Sequence, residues 1–337
     1  MADISEKWLG DCHPTISRQG ETASITVYPR LHMFSLDLSL REDGMRSGSM
    51  TTAINMPIEI SVSSVLDNID QIHTVYSGDE TIKSRLDKLR HSLGVKTGWS
   101  VDVKMPETLR AHTGLGTSTQ ILGGVLLCAA ETVGVKLGYM DLFKMGLGRA
   151  SMAGLSLLYS PGFIIEDGYK KSDSSNGDVL HPWLYDFPEE PSGKLRHISG
   201  CPWSVVIGMK NSGNSLCSKQ EESFWQKNLP IPKTEADCTL QAVENNILPA
   251  LRANDFDLFL RGMRTATSDS SKTAERKIQP RSTKTALKEL EMQFGMAAVS
   301  SLGPTIYAFS PMADVEQLDC LSTDEYTFTH VPLGETL

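Results

Sequence analysis

Alternating apolar and polar positions dominate the first hundred residues and predict short strands. Residues 23–40 predict two strands on either side of Pro29, because apolar side chains recur at every second position. Strand patterns return in residues 51–65 and 97–106, whereas the Gly- and Ser-rich segment before the first of these predicts a loop. The first 20 residues are polar and mixed, and they predict a loose lead-in.

Helical periodicity appears next, and one predicted helix lacks a polar face. Residues 81–92 predict an amphipathic helix, and residues 140–160 predict another that contains several glycines. A third helix begins after the Gly/Thr/Ser turn at 113–119 and is apolar on nearly every side, so we expect it to be buried. The remaining predictions are strands over 162–171, 201–210, 301–311 and 326–333, and helices over 218–230, 240–266 and 283–295.

Strands and helices alternate irregularly in two blocks, which indicates an α+β protein. The 337 residues suffice for one large or two medium domains with buried cores. Residues 170–200 are rich in Ser, Asp, Pro and Gly, and they predict either a domain boundary or a long functional loop. His181, Trp183 and Tyr185 in this stretch suit either a lid with an aromatic face or a packed surface loop.

The net charge and the cysteine spacing indicate which ligands and which cellular compartment suit the chain. The chain has 32 Lys and Arg against 41 Asp and Glu, a formal charge of -9, which disfavours nucleic acid or an anionic membrane as partner. Positive charge for an anionic ligand must therefore be local. The six cysteines lie far apart without a CxxC pair, which indicates thiols of a reducing compartment and no zinc site. No secretory leader and no apolar run of about 20 residues occurs, so we expect a soluble cytoplasmic protein.

The clearest chemical signature is the segment HTGLGTSTQ, residues 112–120, which opens the apolar helix. Gly114 and Gly116 let the backbone approach a ligand closely, and the N–H groups at a helix start favour an anion. The three hydroxyl side chains that follow can donate to phosphate oxygens or hold magnesium. The segment is neither a Walker A loop nor a GxGxxG fingerprint. A tight turn with a helix cap explains it equally well when it is considered alone.

Two other segments contain candidate site residues. Residues 300–305, SSLGPT, form a second turn of small residues before an apolar strand, although a plain helix-to-strand connection also explains them. Arg30 and His32 share one strand face, because side chains alternate with a period of two. Asp37 lies five residues after His32, an odd number, so its side chain points to the other strand face. It reaches the same site only if the strand bends or ends.

In this order, the segments resemble the GHMP superfamily of small-molecule kinases, which has an early PxR strand, a phosphate loop before a buried helix and a late glycine-rich loop. The chain resembles more closely the branch of the beta-ribofuranosylaminobenzene 5'-phosphate synthases and the C-nucleoside synthases of the formycin and pyrazofurin type. The resembling segments are 29–38, 44–57, 112–120, 148–169 and 293–309. The resemblance implies a two-domain GHMP-kinase-like fold. Its parts are a lead-in over 1–20, a ribosomal-protein-S5-like domain over 21–195 and a ferredoxin-like domain over 196–337.

The resemblance also implies the residues of the site. Asp37, Arg46 and His32 are the expected catalytic residues, with Asp37 orienting the ribose hydroxyls or stabilising a cationic transition state. Thr117 and Ser118 are the expected contacts of Mg²⁺. The expected contacts of the donor, phosphoribosyl pyrophosphate (PRPP), are Arg30, Gly48, Ser49, Gly114, Leu115, Gly116, Thr117, Ser118, Thr119, Arg149, Ser151, Asp167, Gly303, Pro304 and Thr305.

Two details favour the ribosyl-transferring branch over the kinases. The stretch RASMAGLS, residues 149–156, lacks the Asp usually found there in those kinases of the superfamily that use a catalytic base. The late loop continues as GPTIY, similar to the synthases. The implied reaction joins ribose 5-phosphate from PRPP to a ring carbon of an aromatic or heteroaromatic carboxylate and releases CO2 and pyrophosphate. The resemblance also implies a homodimer.

Alternatives exist for the acceptor and for the activity. The acceptor is an aminobenzoate or hydroxybenzoate, as in methanopterin synthesis, or a pyrazole carboxylate, as in C-nucleoside antibiotics. The loop Arg46-Ser47-Gly48-Ser49 favours the pyrazole, because the synthases typically have an acid and a second glycine there. An ATP-dependent GHMP small-molecule kinase is the alternative enzyme. A non-catalytic regulator that binds a phosphorylated ligand is the alternative outside catalysis.

Overall fold

The computed structural model describes residues 2–39, 47–66, 69–74, 78–110, 113–148, 152–170, 190–211, 218–311, 318, 321 and 323–333. The strands in these residues are β1 (Asp3–Trp8), β2 (Ser17–Gln19), β3 (Thr22–Val27), β4 (Arg30–Ser35), β5 (Ser49–Ala53), β6 (Ile58–Val65), β7 (Gln71–Thr74), β8 (Gly98–Lys104), β9 (Phe163–Glu166), β10 (Tyr169–Lys170), β11 (Glu190–Pro191), β12 (Lys194–Ser199), β13 (Trp203–Lys210), β14 (Ala298–Val299), β15 (Ile306–Pro311) and β16 (Tyr326–Pro332). The helices are α1 (Asp79–Leu93), α2 (Thr117–Thr132), α3 (Tyr139–Lys144), α4 (Met152–Tyr159), α5 (Ser218–Asn228), α6 (Lys233–Ala242), α7 (Leu248–Ala253), α8 (Phe256–Ala266), α9 (Ser270–Ile278) and α10 (Arg281–Phe294).

The described strands form three main sheets and one small hairpin. Sheet 1 has the order β1-β12-β9-β5-β4, sheet 2 the order β2-β3-β6-β8-β7, and sheet 3 the order β14-β15-β13-β16. The described neighbours pair antiparallel, except that β7 and β8 run parallel. The small hairpin joins β10 to β11. Sheets of this kind with helices packed on them give the α+β architecture that the sequence predicts.

Helix α2 is the buried centre of the N-terminal half, as its apolar sequence predicts. Thirteen of its 16 residues are buried. A Cβ at Gly124 would lie 2.5 Å from Cδ1 of Ile60 in β6, and a Cβ at Gly123 would overlap Leu158 of α4. Because neither glycine has a side chain, α2 packs closely against sheet 2 and α4. No described helix is long and apolar enough to cross a membrane.

Helices α8, α9 and α10 pack around sheet 3. Phe259 of α8 lies with its ring centroid 4.6 Å from Trp203 of β13 and 4.9 Å from Phe309 of β15. A π-helical turn, Val243–Ile247, connects α6 to α7 and packs on α8. Helix α9 is absent from the sequence predictions. Its sequence, SSKTAERKI, has little apolar periodicity because the residues it buries are polar.

Three features differ from the sequence expectations. The lead-in expected over 1–20 contains β1, which pairs with β12, and β2, which pairs with β3. β1 is an edge strand with mostly exposed side chains, so it lacks the apolar alternation by which strands are found. The boundary expected at 195/196 falls inside β12, a strand of sheet 1. The helix predicted over 140–160 is two helices, α3 and α4, and the chain between them includes two glycines with positive φ.

Candidate functional site

The two glycine-containing loops singled out in the sequence lie against each other, and we call residues 113–116 and 300–305 the loop junction. The Thr305 N–H donates to the Thr113 carbonyl at 3.2 Å, and the Ser300 hydroxyl donates to the Gly114 carbonyl at 2.9 Å. Gly114 has a φ of +89°, and a Cβ there would overlap the Ser300 carbonyl oxygen. Glycine is therefore required at position 114 for both its backbone conformation and its close contact.

Strand β4 contacts the loop junction through both residues that the sequence placed on one face. The Arg30 N–H donates to the Leu115 carbonyl at 2.7 Å, and the His32 N–H donates to Ser300 Oγ at 3.1 Å. A Cβ at Gly116 would lie 3.1 Å from Arg30 Nε. The Arg30 side chain therefore lies directly against the start of α2.

Four buried polar atoms around the loop junction have no hydrogen-bond partner among the described residues. They are Arg30 Nε, His32 Nδ1, Thr117 Oγ1 and Thr305 Oγ1, out of eight such atoms in the part of the chain that the structure describes. A buried polar group left without a partner costs about 1–3 kcal/mol. Four such groups at one junction make it the candidate site for a polar ligand or ordered water.

The first turn of α2 gives the loop junction a preference for anions. The helix begins at Thr117 after Gly116, and its first turn contains no acidic residue. Unpaired N–H groups and the helix dipole place partial positive charge at such an end. Ser118 and Thr119 are half-buried in the same turn. A phosphate bound here would meet this partial charge and the Arg30 guanidinium together.

Buried charges surround the imidazole of His32. Burial, together with the charges of Arg30 and Lys272, lowers the pKa of His32 well below its ordinary range, so the ring is neutral at pH 7. Lys272 Nζ donates to Glu275 Oε2 at 2.7 Å and to the Val299 carbonyl at 3.1 Å, next to the late loop. Burial raises the pKa of Glu275 to about 7, against the lowering effect of Lys272. A protein with an acidic net charge thus places two cations close to one small site.

Glu166 is a buried carboxyl group at the end of β9. Its Oε1 accepts from Ser49 Oγ at 2.9 Å and its Oε2 from the Gly168 N–H at 2.5 Å, and the residue is 2% exposed. Burial raises the pKa of Glu166 to about 8, and the two hydrogen bonds and the charge of Arg30 lower it by less. A Cβ at Gly48 would lie 2.5 Å from the Glu166 carbonyl oxygen, so glycine allows β5 to approach here.

Two carboxyl groups lie within electrostatic range of the Arg30 guanidinium. Burial lowers the pKa of Arg30, and the charges of Glu221 in α5 and of Glu166 act in the opposite direction. Burial also raises the pKa of Glu221, whereas Arg30 lowers it. An arginine remains protonated under all ordinary conditions. Arg30 is therefore a buried cation at the loop junction, under the electrostatic influence of two acids from different elements.

Asp37 lies beyond the opposite end of β4 from Arg30. The pairing of β4 with β5 shifts register between His32 and Phe34, so the simple alternation of faces is interrupted there. Asp37 Oδ1 accepts from the N–H and the hydroxyl of Ser39 at 3.0 and 2.7 Å, in a buried loop. These contacts stabilise the loop, and a role of Asp37 toward ribose stays a prediction.

The other predicted site residues divide into three groups. Gly303, Pro304 and Thr305 lie in the late loop, where Gln279 Nε2 supports the turn by donating to the Leu302 carbonyl at 3.0 Å. Asp167 is exposed, and its N–H donates to the Lys194 carbonyl at 3.2 Å. The predictions for Arg46, Arg149, Ser151, His181, Trp183 and Tyr185 lie outside the described residues.

Hydroxyl oxygens are the candidate magnesium contacts at the start of α2. Thr117 Oγ1 is buried without a partner, whereas no group of three or more His, Cys, Asp or Glu in the described part of the chain is arranged to hold a metal. Magnesium usually keeps several waters and takes one or two protein oxygens besides those of substrate phosphates. Thr117 therefore fits an ion that arrives with a phosphorylated ligand.

Sequence reasoning missed Glu166, Glu221, Lys272 and Glu275. A signal existed for Glu166, because a charged residue directly follows the apolar run of β9 and precedes a glycine turn. Glu221 and Lys272 lie in helices whose sequences are mostly polar, so nothing in the pattern distinguishes them from solvated residues.

Comparison with known proteins identifies sequence relatives and fold neighbours. No family model matches the chain. A beta-ribofuranosylphenol 5'-phosphate synthase from Methanocaldococcus jannaschii is 26% identical over 290 residues, 83% of this chain and 87% of the relative. A protein of the same name from Archaeoglobus fulgidus is 22% identical over 285 residues, 83% of this chain and 85% of the relative.

Solved structures with similar folds include small-molecule kinases and mevalonate diphosphate decarboxylases. Homoserine kinase from Cytophaga hutchinsonii superposes with a TM-score of 0.64 at 15% identity, covering 95% of this chain and 97% of the kinase. Mevalonate kinase from Methanococcus jannaschii superposes with a TM-score of 0.63 at 12% identity, covering 94% of this chain and 99% of the kinase. The chain therefore has the GHMP-kinase fold, and its sequence resembles two beta-ribofuranosylphenol 5'-phosphate synthases.

Proposed function

We propose that the chain is a PRPP-dependent decarboxylating C-ribosyltransferase, a glycosyltransferase that joins ribose 5-phosphate to a ring carbon of an aromatic or heteroaromatic carboxylate. The observation that supports this most is the loop junction. There Arg30, the start of α2 and four buried polar atoms without partners lie together. The two archaeal relatives bear the name of a synthase that makes a ribosyl phenol phosphate.

Donor binding follows from the charge of the loop junction. The pyrophosphate of PRPP lies along residues 114–119, where helix N–H groups and hydroxyls donate to its oxygens and Arg30 supplies a full positive charge. Negative charge on the pyrophosphate grows as its bond to ribose breaks. Donors already fixed in place stabilise that charge without reorganising, which is usually the largest single catalytic contribution. The hydroxyls of Thr117 and Ser118 would hold Mg²⁺, which would supply charge neutralisation when bound.

The proposed reaction needs no external base. The C1–O bond to pyrophosphate breaks and leaves a ribosyl cation, and the ring carbon that bears the carboxylate forms the new C–C bond to C1. Its bond to the carboxylate then breaks, CO2 leaves, and the electron pair of that bond restores the aromatic ring. No proton has to be removed in these steps. His32, neutral at pH 7 beside Arg30 and Lys272, acts as a hydrogen-bonding group rather than as a second cation.

Kinase activity is the alternative that the fold neighbours raise. Kinases that activate a hydroxyl with a general base place this base close to the reacting groups. Helix α4, which covers most of the segment where the superfamily kinases have this base, is MAGLSLLY; it is buried throughout and contains no carboxylate. This composition favours ribosyl transfer over phosphoryl transfer.

The acceptor is a pyrazole carboxylate in C-nucleoside biosynthesis or an aminobenzoate or hydroxybenzoate in methanopterin-type biosynthesis. Both have an electron-rich ring carbon that bears a carboxylate, as the reaction requires. The loop sequence Arg46-Ser47-Gly48-Ser49 favours the pyrazole class.

A donor competition tests the proposal. The protein is incubated with Mg²⁺, a panel of pyrazole carboxylates, aminobenzoates and hydroxybenzoates, and either PRPP or ATP. Pyrophosphate release that requires both PRPP and one acid class is the expected result, and the active acid identifies the acceptor class. ADP formation without use of PRPP would contradict it in favour of a kinase. Ligand-dependent thermal stabilisation without turnover would identify a binding protein instead.

A further inference from the structure

Glu166 is a buried acid for which neither the loop junction nor the ribosyl transfer supplies a role. It ends β9 and is 2% exposed, and its register partner in β5 is Ser49. Its two oxygens contact Ser49 Oγ at 2.9 Å and the Gly168 N–H at 2.5 Å. Neither of these partners is charged, so among the residues that the structure describes no full positive charge is in direct contact with the carboxyl group.

The surroundings suit a protonated carboxyl group as well as an ionised one. In the ionised form, Ser49 Oγ–H donates to Oε1 and Gly168 N–H donates to Oε2. In the neutral form, Oε2 still accepts from Gly168, while Oε1–H donates to Ser49 Oγ and the Ser49 hydrogen is released for another acceptor. One set of atom positions therefore serves both forms, with only the hydrogen between Glu166 and Ser49 reversed.

Because of the charged groups around Glu166, the protonation state of its carboxyl group affects the binding of an anionic ligand. Arg30 of β4 lies within electrostatic range of it, Asp167 follows it in the turn, and Glu221 of α5 also acts on Arg30. Tyr169 of β10 acts on Arg30 as well, and its hydroxyl donates to the Gly148 carbonyl. An ionised Glu166 offsets the positive charge of Arg30, on which the proposed phosphate site depends, whereas a neutral Glu166 does not.

We propose that Glu166 is a positioning residue that serves the donor site as a neutral carboxylic acid, and that its ionisation weakens the binding of the phosphorylated donor. The proposal rests on the proposed function for the identity of the donor, PRPP. The high pKa of the group, which burial raises to about 8, agrees with a neutral acid at physiological pH. Donor affinity then falls as the pH rises through that value. Each pH unit above the midpoint reduces the fraction of protein with neutral Glu166 about tenfold, so the affinity falls by up to about tenfold per unit.

Calorimetric titration with PRPP and Mg²⁺ between pH 6.5 and 9.5 tests this, with wild-type protein and Glu166→Gln compared at each pH. The glutamine keeps an oxygen for Gly168 and an amide hydrogen for Ser49, and it has no charge at any pH. We expect the dissociation constant of the wild type to rise by up to about tenfold per unit above its midpoint and that of Glu166→Gln to stay flat. Titration of PRPP itself cancels in the comparison, because both proteins receive the same ligand. Glu59→Gln, which removes an exposed carboxylate from sheet 2, is the matched control and should follow the wild type.

A second measurement needs no variant. Binding to wild-type protein at pH 8.5, in two buffers with different ionisation enthalpies, should show net proton uptake. Phosphate monoesters lose their second proton near a pKa of roughly 6, so the proton at pH 8.5 has to enter the protein. Loss of PRPP affinity in Glu166→Gln at pH 7, or binding of wild-type protein without proton uptake, overturns the role of Glu166 and leaves the proposed function standing. Absence of PRPP binding at every pH overturns both.

Discussion

The hydroxyl of Ser300 donates a hydrogen bond of 2.9 Å to the carbonyl oxygen of Gly114, a residue 186 positions earlier in the chain. The same hydroxyl accepts the His32 N–H at 3.1 Å. One side chain thus connects the phosphate loop, the late loop and the strand that bears Arg30. The proposed donor site is therefore built by three distant segments, and its geometry depends on their close approach.

Gly114→Ala should separate these segments. The new Cβ would overlap the Ser300 carbonyl oxygen, and φ of +89° is unfavourable for alanine. Gly134→Ala is the matched control, because it has a similar φ of +77° but no neighbour within 4 Å of its Cβ. We expect both variants to lose about 1 kcal/mol of unfolding free energy to backbone strain. Only Gly114→Ala should also lose PRPP affinity, by about tenfold or more; calorimetry that shows unchanged affinity would contradict the loop junction as the donor site.

Thr117→Val separates a functional hydroxyl from a structural one. Thr117 Oγ1 is buried without a described partner, so replacing it with a methyl group of similar shape removes an unsatisfied polar atom. We expect the unfolding free energy to stay equal or to rise by up to about 1 kcal/mol, while kcat/KM for PRPP falls at least about tenfold, equivalent to about 1.4 kcal/mol. Ser204→Ala removes another unpartnered buried hydroxyl, in β13, and should leave turnover unchanged. Equal turnover in both variants would show that the Thr117 hydroxyl does not contact the donor.

Asp37→Asn distinguishes the predicted ribose contact from loop capping. Asparagine keeps an Oδ1 that accepts from Ser39, so chemical denaturation should show a loss of no more than about 1 kcal/mol. If the negative charge stabilises a ribosyl cation, kcat should fall about tenfold or more while KM changes little. Unchanged kcat in steady-state kinetics would leave Asp37 with the capping role alone.

Glu166 should make the folded protein less stable as the pH rises. Its pKa in the folded state is about 8, above the ordinary value of 4.5, so the unfolded chain releases this proton first. The stabilisation is full below about pH 4.5 and is lost progressively as the pH rises toward 8, by at most about 1.4 kcal/mol per pH unit. Denaturation of wild-type protein and Glu166→Gln from pH 5 to 8.5 should show this slope in the wild type alone. Parallel curves would mean that Glu166 is already ionised in the folded protein at neutral pH.

Much of the fold and part of the site follow from patterns that short stretches of sequence contain. The burial of α2, the strands on either side of Pro29 and the turns at 113–116 and 300–305 follow from apolar periodicity and from glycine and hydroxyl residues. Edge strand β1 and helix α9 do not follow from such patterns, because β1 exposes most of its side chains and α9 buries polar ones. Two acids, Glu166 and Glu221, act on Arg30 from separate elements. Their position relative to Arg30 depends on tertiary packing, which no local sequence pattern records.

The most direct test of ribosyl transfer with decarboxylation follows the fate of the acceptor carboxylate. The protein is supplied with Mg²⁺, PRPP and an acceptor acid labelled at the carboxyl carbon, and labelled CO2 and pyrophosphate are measured over the same time course. Equal amounts of the two products, with the label absent from the ribosylated product, are predicted. Pyrophosphate without labelled CO2, or ADP from ATP in place of pyrophosphate from PRPP, would contradict C-ribosylation.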